Sequence, residues 1–298
     1  MEIRNLTSFI HVAELNSFTR AAETLGYSQS TVSFQIRQLE EELGCRLFDR
    51  INHSISLTDR GYELLEYAQR ICRLTDEFNQ NLNSEKPLSA CLHILAPNSV
   101  CEEMMRTNYL DFYSKHPGIS LRFTSADTDD MLQMLERNEG DVMLALDTHT
   151  YRHDCIIAKE EPVGMHFVTG AGSEFARKRT LTLKEIAKYP FILTEKNAGY
   201  RRPLDRLFAK YSLEISPILE MERTDIIASV LEGGIGVSYL PDFVTRNAVE
   251  DGRLCYLDVP DAKIDIWKQL IYHKNKWISR ALSALIDYIK EKEFSADC

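Results

Sequence analysis

The residues of this 298-residue chain best suited to chemistry at a nucleic-acid surface lie close together: Gln29, Ser30, Ser33, Phe34 and Arg37. On a helix advancing 100° per residue, Ser30, Phe34, Arg37 and Glu41 share one face, with Gln29 and Ser33 toward its flanks. Such a set can read base edges, because Gln bonds an adenine edge, Ser a base or phosphate, and an aromatic ring covers a thymine methyl. A second group is scattered. A hydroxyl or amide recurs where a strand pattern gives way to a helix pattern: Ser99 in LAPNS, Thr128 in TSADT, Asn197 to Arg202 in TEKNAGYRR, and Thr224 in MERT. Each is at minimum an ordinary helix cap. Four such junctions meeting at one cleft would make a site for a small polar or anionic ligand, since free helix N–H groups and the helix dipole attract negative charge.

Catalytic constellations are missing from the sequence. It contains no G-x-S-x-G elbow, no G-x-x-x-x-G-K-[ST] loop, no H-E-x-x-H and no G-x-G-x-x-G turn, so neither an enzyme nor a cofactor is expected. The seven cysteines (Cys45, Cys72, Cys91, Cys101, Cys155, Cys255, Cys298) never fall in a C-x-x-C spacing, which favours reduced thiols over a disulfide framework or a zinc site. The opening MEIRNLTSFIHVAELNS lacks the basic start and apolar run of a secretory signal, and no stretch approaches the roughly 18 apolar residues of a membrane span, so a cytoplasmic protein is expected.

The elements that must carry these groups follow from periodicity. With 44% hydrophobic residues the chain has material for about two cores. Leu6, Phe9, Ile10 and Ala13 predict a helix over 6–15. Ser17 caps a second, short helix ending at Gly26, and Ser28 caps a third that closes on Gly44. In the third, Val32, Ile36, Leu39 and Leu43 form the buried stripe. Helix, tight Gly turn, helix is the helix-turn-helix pattern. The following CRLFDRINHSISLTDRG reads as two short strands, a wing whose Arg50 and His53 can reach phosphates. The net charge of −10, with six Lys/Arg against eight Asp/Glu in residues 1–60, excludes indiscriminate nucleic-acid coating and leaves a small reading module.

From Thr58 to Asn83 there is no Pro, and Leu64, Ala68, Ile71, Thr75, Phe78 and Leu82 step by 4, 3, 4, 3 and 4, a coiled-coil seam for a second copy of the chain. Beyond residue 88 strands and helices alternate, an α/β pattern expected to hold parallel strands and to end on an amphipathic helix over 276–292.

The run SFTRAAETLGYSQSTVSFQIRQLEEELGCRLFDR, followed by ISLTDRG, resembles the signature of LysR-type transcriptional regulators over about sixty residues. GDVMLAL and LEGGIGVSYLP resemble motifs of that family's effector domains, a fold shared with periplasmic solute-binding proteins. The resemblance implies a winged helix-turn-helix DNA-binding domain (1–58), a dimerising linker helix (59–87) and an effector-binding domain (88–298) of the type 2 periplasmic-binding-protein fold. It divides the last into lobe I (90–162 plus 267–298) and lobe II (163–266), joined by two crossing strands. It implies sequence-specific binding of double-stranded DNA at an interrupted dyad by a homodimer or homotetramer, with RNA polymerase as a further partner and no membrane. DNA is faced by Ser17, Gln29, Ser30, Ser33, Phe34, Arg37, Arg50 and His53, and a small-molecule inducer by Ser99, Thr128, Asn197, Arg201 and Thr224. The chain departs from the family at Phe34 and His53, where Arg is common, and at Arg60, where Ala or Pro is common.

Asp127, Asp129 and Asp130 crowd the Thr128 junction, unusual company for a purely anionic ligand that leaves a zwitterion such as an amino acid open. The alternative is a thiol-based redox regulator built on Cys101, at a helix start where a thiolate is favoured. An exported solute-binding protein would share the two-lobed fold but have no use for residues 1–60.

Overall fold

Asn16, at φ +48°, ends α1 (Ile3–Leu15), and one residue later the Ser17 hydroxyl accepts from Arg20 N to start α2 (Phe18–Leu25). Gly26 closes α2 at φ +68°, a conformation that costs a side chain with a Cβ, so the chain can turn within three residues into α3 (Gln29–Leu43), capped by Ser28. The strands β1 (Phe48–Ile51) and β2 (Ser54–Leu57) pair antiparallel as the wing, and α4 (Asp59–Asn81) leaves the module. The computed structural model describes residues 1–51, 54–81, 88–178 and 180–294.

One apolar cluster serves this head, and it corrects two expectations. Val32, Ile36 and Leu39 are buried, but Leu43 is 42% exposed. Leu47 and Phe48 take its place, held beside the last turn of α3 by their N–H groups donating to Glu40 Oε1. The buried stripe is completed by Gln35, whose Oε1 accepts from the buried Ser8 hydroxyl at 2.6 Å. The linker seam is also reassigned. Ala68 is fully buried in the head's own cluster with Leu65 and Cys72, and Leu64 and Ile71 pack against it. The seam turns inward because α1 lies along this half of α4; the face left exposed carries Tyr67 and Leu74. The Phe78 side chain and Leu82 lie outside the described residues.

The remaining chain forms two five-stranded sheets. Its first part runs β3 (Ala90–Leu95), α5 (Asn98–Thr107), α6 (Tyr109–Lys115), β4 (Ile119–Thr124), α7 (Thr128–Glu136), β5 (Val142–Asp147) and β6 (Cys155–Val163). The second part runs β7 (Met165–Gly170), α8 (Leu183–Ile186), β8 (Phe191–Leu193), α9 (Arg201–Lys210), β9 (Pro217–Glu220), α10 (Thr224–Glu232), β10 (Val237–Pro241), α11 (Asp242–Glu250) and β11 (Leu254–Leu257). The chain then returns through β12 (Ile266–His273) to α12 (Arg280–Lys292). The strand orders are β4-β3-β5-β12-β6 and β11-β7-β10-β8-β9.

Both sheets are mixed, not parallel throughout. β12 runs antiparallel to β5 and β6, and β7 antiparallel to β10 and β11, because chain that crosses between sheets must come back. The crossing points sit side by side, with Ile266 paired to Val163.

The C-terminal helix starts later than expected, at Arg280 after the Ser279 cap. Residues 274–277 instead meet the reading head. Trp277 N donates to Glu14 Oε1 at 2.6 Å, Gln69 Nε2 donates to the Asn275 carbonyl at 3.0 Å, and the Trp277 ring packs against the head's core, edge-on to His11. Lys276 pairs with Asp141 at 2.7 Å beside this contact. Glu14 is half-buried here, and desolvation holds its carboxyl above the ordinary range against the pull of Lys276 and His11.

Candidate functional site

Two sites are built in opposite ways. On the reading head, α3 turns Gln29, Ser30, Phe34 and Arg37 to solvent, with Ser33 half-buried at the edge. Phe34 is 62% exposed, a large apolar surface left for a partner to cover. Gln29 Nε2 donates to Ser33 Oγ at 2.8 Å and Ser30 shares a 2.8 Å hydrogen bond with Ser28, so these side chains are pre-ordered. Arg37 has no ion pair among the described residues. The acidic run at the end of α3 is partly spent inside the head, with Glu40 holding Leu47 and Phe48, and Glu42 pairing with the N-terminal ammonium. Ser17 is half-buried, its oxygen engaged by Arg20 N. The Arg50 side chain and His53 lie outside the described residues.

Between the sheets lies a cleft of about 290 Å³, reached from the carboxyl ends of β3, β4 and β8. Ser99, Thr128, Asn197 and Thr224 all line it, so three of the four junctions contribute hydroxyls and the fourth an exposed amide. The hydroxyl residues are not helix caps. The capping positions are Pro97, Asp127 and Arg223, which places Ser99, Thr128 and Thr224 inside the first turns. Ser99 is 4% and Thr128 5% exposed, and neither hydroxyl has a hydrogen-bond partner among the described residues. Neither oxygen is sealed from solvent, so both present a free hydroxyl to the cleft. The Thr224 hydroxyl donates to Glu102 Oε2 at 3.4 Å.

Arg201 does not join them. Its guanidinium is buried and turned inward, with Nε donating to Asp205 at 2.9 Å and Nη1 to the Thr194 carbonyl and Glu220. Asp205 lies one helical turn along α9 and captures it there. The neighbouring Arg202 reaches across instead, pairing with Asp129 at 2.8 Å and Asp127 at 3.7 Å. On the other flank Arg223 lies 3.6 Å from Glu102, and Asn98 donates to Glu222 at 3.4 Å. These contacts hold the two sheets together on either side of the cleft.

The junction pattern overlooked two carboxylates, Glu195 and Glu222, although TEKN and MERT contain them. Glu195 Oε2 is buried without a partner, and its carboxyl is pushed above the ordinary range by desolvation, with Glu222 and Glu220 adding like charge. A search for acids at strand-to-helix junctions would have found both.

Cys101 does not favour the thiolate. Burial and the adjacent Glu102 push its thiol up to about 11, and its Sγ is directed to the Ala96 carbonyl at 3.5 Å. The helix start that was to lower it is outweighed by desolvation. Among the described residues no group of His, Cys, Asp and Glu could hold a metal ion, and no helix is long and apolar enough to cross a membrane.

Residues 3–62 match the family model described as bacterial regulatory helix-turn-helix protein, lysR family, and residues 86–293 match the LysR substrate binding domain. The chain is 28% identical over 302 residues to the RuBisCO operon transcriptional regulator of Allochromatium vinosum, covering 100% of this chain and 98% of that protein. It is 27% identical over 268 residues to the HTH-type transcriptional activator IlvY of Salmonella typhimurium, covering 88% and 90%. Among solved structures it resembles full-length OxyR from Pseudomonas aeruginosa with a TM-score of 0.55 at 19% identity, covering 97% and 95% of the two chains. CrgA from Neisseria meningitidis gives 0.53 at 20%, covering 98% and 99%. At these identities the structural likeness speaks for the fold.

Proposed function

The chain belongs to the LysR family of transcriptional regulators, and from that membership we propose that two copies of α3, one per subunit of a dimer, read an interrupted DNA dyad while a small polar metabolite bound between the sheets sets the response. Arg37 and Gln29 meet base edges, Phe34 covers an apolar base edge, and Ser30 and Ser33 bond base or phosphate. The outward face of α4, with Tyr67 and Leu74, joins the copies, and RNA polymerase is the further partner at such a site. Ser99 and Thr128 face the ligand, with Asn197 and Thr224 on the opposite wall. The observation that carries the ligand reading is the pair of cleft-facing hydroxyls of Ser99 and Thr128, which sit on largely buried residues and have no hydrogen-bond partner among the described residues. No observation of comparable weight favours the thiol reading, since the Cys101 thiol is held protonated by its surroundings.

The test is a footprint of the purified full chain on its own upstream DNA, with and without a panel of small carboxylic and amino acids. Thr128→Val keeps the shape and removes the oxygen. An unmet polar group costs about 1–3 kcal/mol, so ligand affinity should fall about tenfold to a hundredfold while the ligand-free footprint stays unchanged. A wild-type ligand response in Thr128→Val would overturn this assignment.

A further inference from the structure

The unsatisfied groups of the cleft differ in kind between its two walls. On the wall built by α5 and α7 they are the free hydroxyls of Ser99 and Thr128, each in the first turn of a helix; Asp127 also lines this wall, but its carboxylate is engaged by Asp130 N and by Arg202. These first-turn hydroxyls favour an anion. On the facing wall the unsatisfied group is an acceptor, the buried Glu195 Oε2, and Glu222 lies near enough to add like charge to it. Glu222 accepts from the neutral amide of Asn98, and among the described residues no other donor to it lies in the cleft.

Among the described residues no Lys, Arg or His lines this cavity. The guanidinium groups flanking it are committed elsewhere: Arg201 to Asp205, Glu220 and the Thr194 carbonyl, Arg202 to Asp129 and Asp127, and Arg223 to Asp225 and Glu102. A purely anionic ligand would therefore add negative charge beside the Glu195 and Glu222 carboxylates with no cationic side chain lining the cleft among the described residues to offset it. A purely cationic ligand would leave both hydroxyls unmet. Only a molecule with both charges satisfies both walls.

We propose that the ligand of this cleft is a zwitterion of the amino acid class, its carboxylate on Ser99 and Thr128 and its ammonium or guanidinium on Glu195 and Glu222. This rests on the reading of the cleft as the effector site and adds the ligand's chemical class. The cation supplies the positive charge that Glu195 and Glu222 lack, and because the ligand bridges the walls it favours the arrangement in which Arg202 and Arg223 already join the two sheets.

The experiment measures binding to the full-length protein by calorimetry and thermal shift with three probe sets: the twenty proteinogenic L-amino acids with ornithine and citrulline; mono-, di- and tricarboxylates without an amine; and diamines and polyamines without a carboxylate. At least one amino acid should bind at least tenfold more tightly than its deaminated and its decarboxylated analogue. Glu195→Gln, close in shape, should bring the amino acid and its deaminated analogue to within about threefold of each other. Glu195→Asp should restore part of the preference. Because the readout is a ratio of two ligands on one protein, a general loss of stability does not imitate it.

Preferred binding of an amine-free carboxylate would overturn the zwitterion while leaving the cleft as the site. So would a wild type that answers none of the amino acids. An amino acid whose binding is untouched by both Glu195→Gln and Thr128→Val would sit elsewhere and overturn the cleft reading as well.

Discussion

The reading head and the cleft use the same residue types under opposite conditions. On α3, Gln29, Ser30 and Ser33 are largely accessible and hydrogen-bond to one another or to a neighbour, so the free head carries little unmet polarity. In the cleft, Ser99 and Thr128 sit on largely buried residues with hydroxyls that have no protein partner among the described residues, and Glu195 holds a desolvated oxygen. A surface that must read many sequences before finding one can afford weak, exchangeable contacts to water. A cavity that must answer one molecule stores its selectivity as groups only that molecule can satisfy, because leaving such a group unpaired is costlier than the net gain of an exposed bond.

The largest effect that would sharpen this contrast comes from the linker. Tyr67→Asp combined with Leu74→Asp places charge on the exposed face of α4 without entering the head's cluster, where Ala68 is buried. If this face joins the two copies, the variant should be monomeric by light scattering and lose about 10²- to 10⁴-fold in operator affinity, the gain that coupling two half-sites provides. Calorimetric ligand binding in the cleft should persist. A dimer that survives would move the interface off this face.

Arg37→Ala comes next. Arg37 has no partner among the described residues of the head, so its removal should leave the thermal transition alone and weaken specific binding by about 1–3 kcal/mol if it meets a base edge. An unchanged footprint would break the comparison from the DNA side.

The smallest effect concerns the contact between the two regions. Glu14 carries a raised pKa because of burial, so the docked state takes up a proton that the undocked carboxyl gives away. The contact should therefore be fully present below the ordinary carboxyl range and weaken as pH rises through the raised value. Trp277 fluorescence in a Trp267→Phe background reads this directly. Glu14→Gln should flatten the profile; a profile that persists would remove Glu14 as its source.

Sequence legibility follows the same division. The head's elements are read almost to the residue because caps, Gly turns and apolar stripe lie in one continuous stretch of sixty residues. Where that reading slipped, at Leu43 and along the linker seam, the cause was a contact with residues distant in sequence: Leu47 and Phe48 in one case, α1 in the other. Cleft residues come from four separated junctions, and periodicity says nothing about which side chain at a junction turns inward. Ser99, Thr128 and Thr224 were legible as hydroxyls near helix starts. That Arg201 would be captured by Asp205, and that Glu195 would be left bare, depends on the packing of α9 against β8 and β9. The antiparallel return of β12 was equally invisible locally, because a strand's direction is set by where the chain came from.

That returning strand connects the two regions mechanically. One end of β12, Ile266, stands at the crossing between the sheets, and just past the other end, His273, the loop 274–277 is seated on α1 and α4 of the head. Eight residues of strand make a rod about 26 Å long, stiffened along its length by β5 and β6 on either side. A rotation of about 5° at the crossing displaces the far end of such a rod by about 2 Å, close to half the spacing between neighbouring strands. With Trp277 as the foot of the rod, a movement the size of one side chain in the cleft has a direct lever on the angle at which α3 is presented.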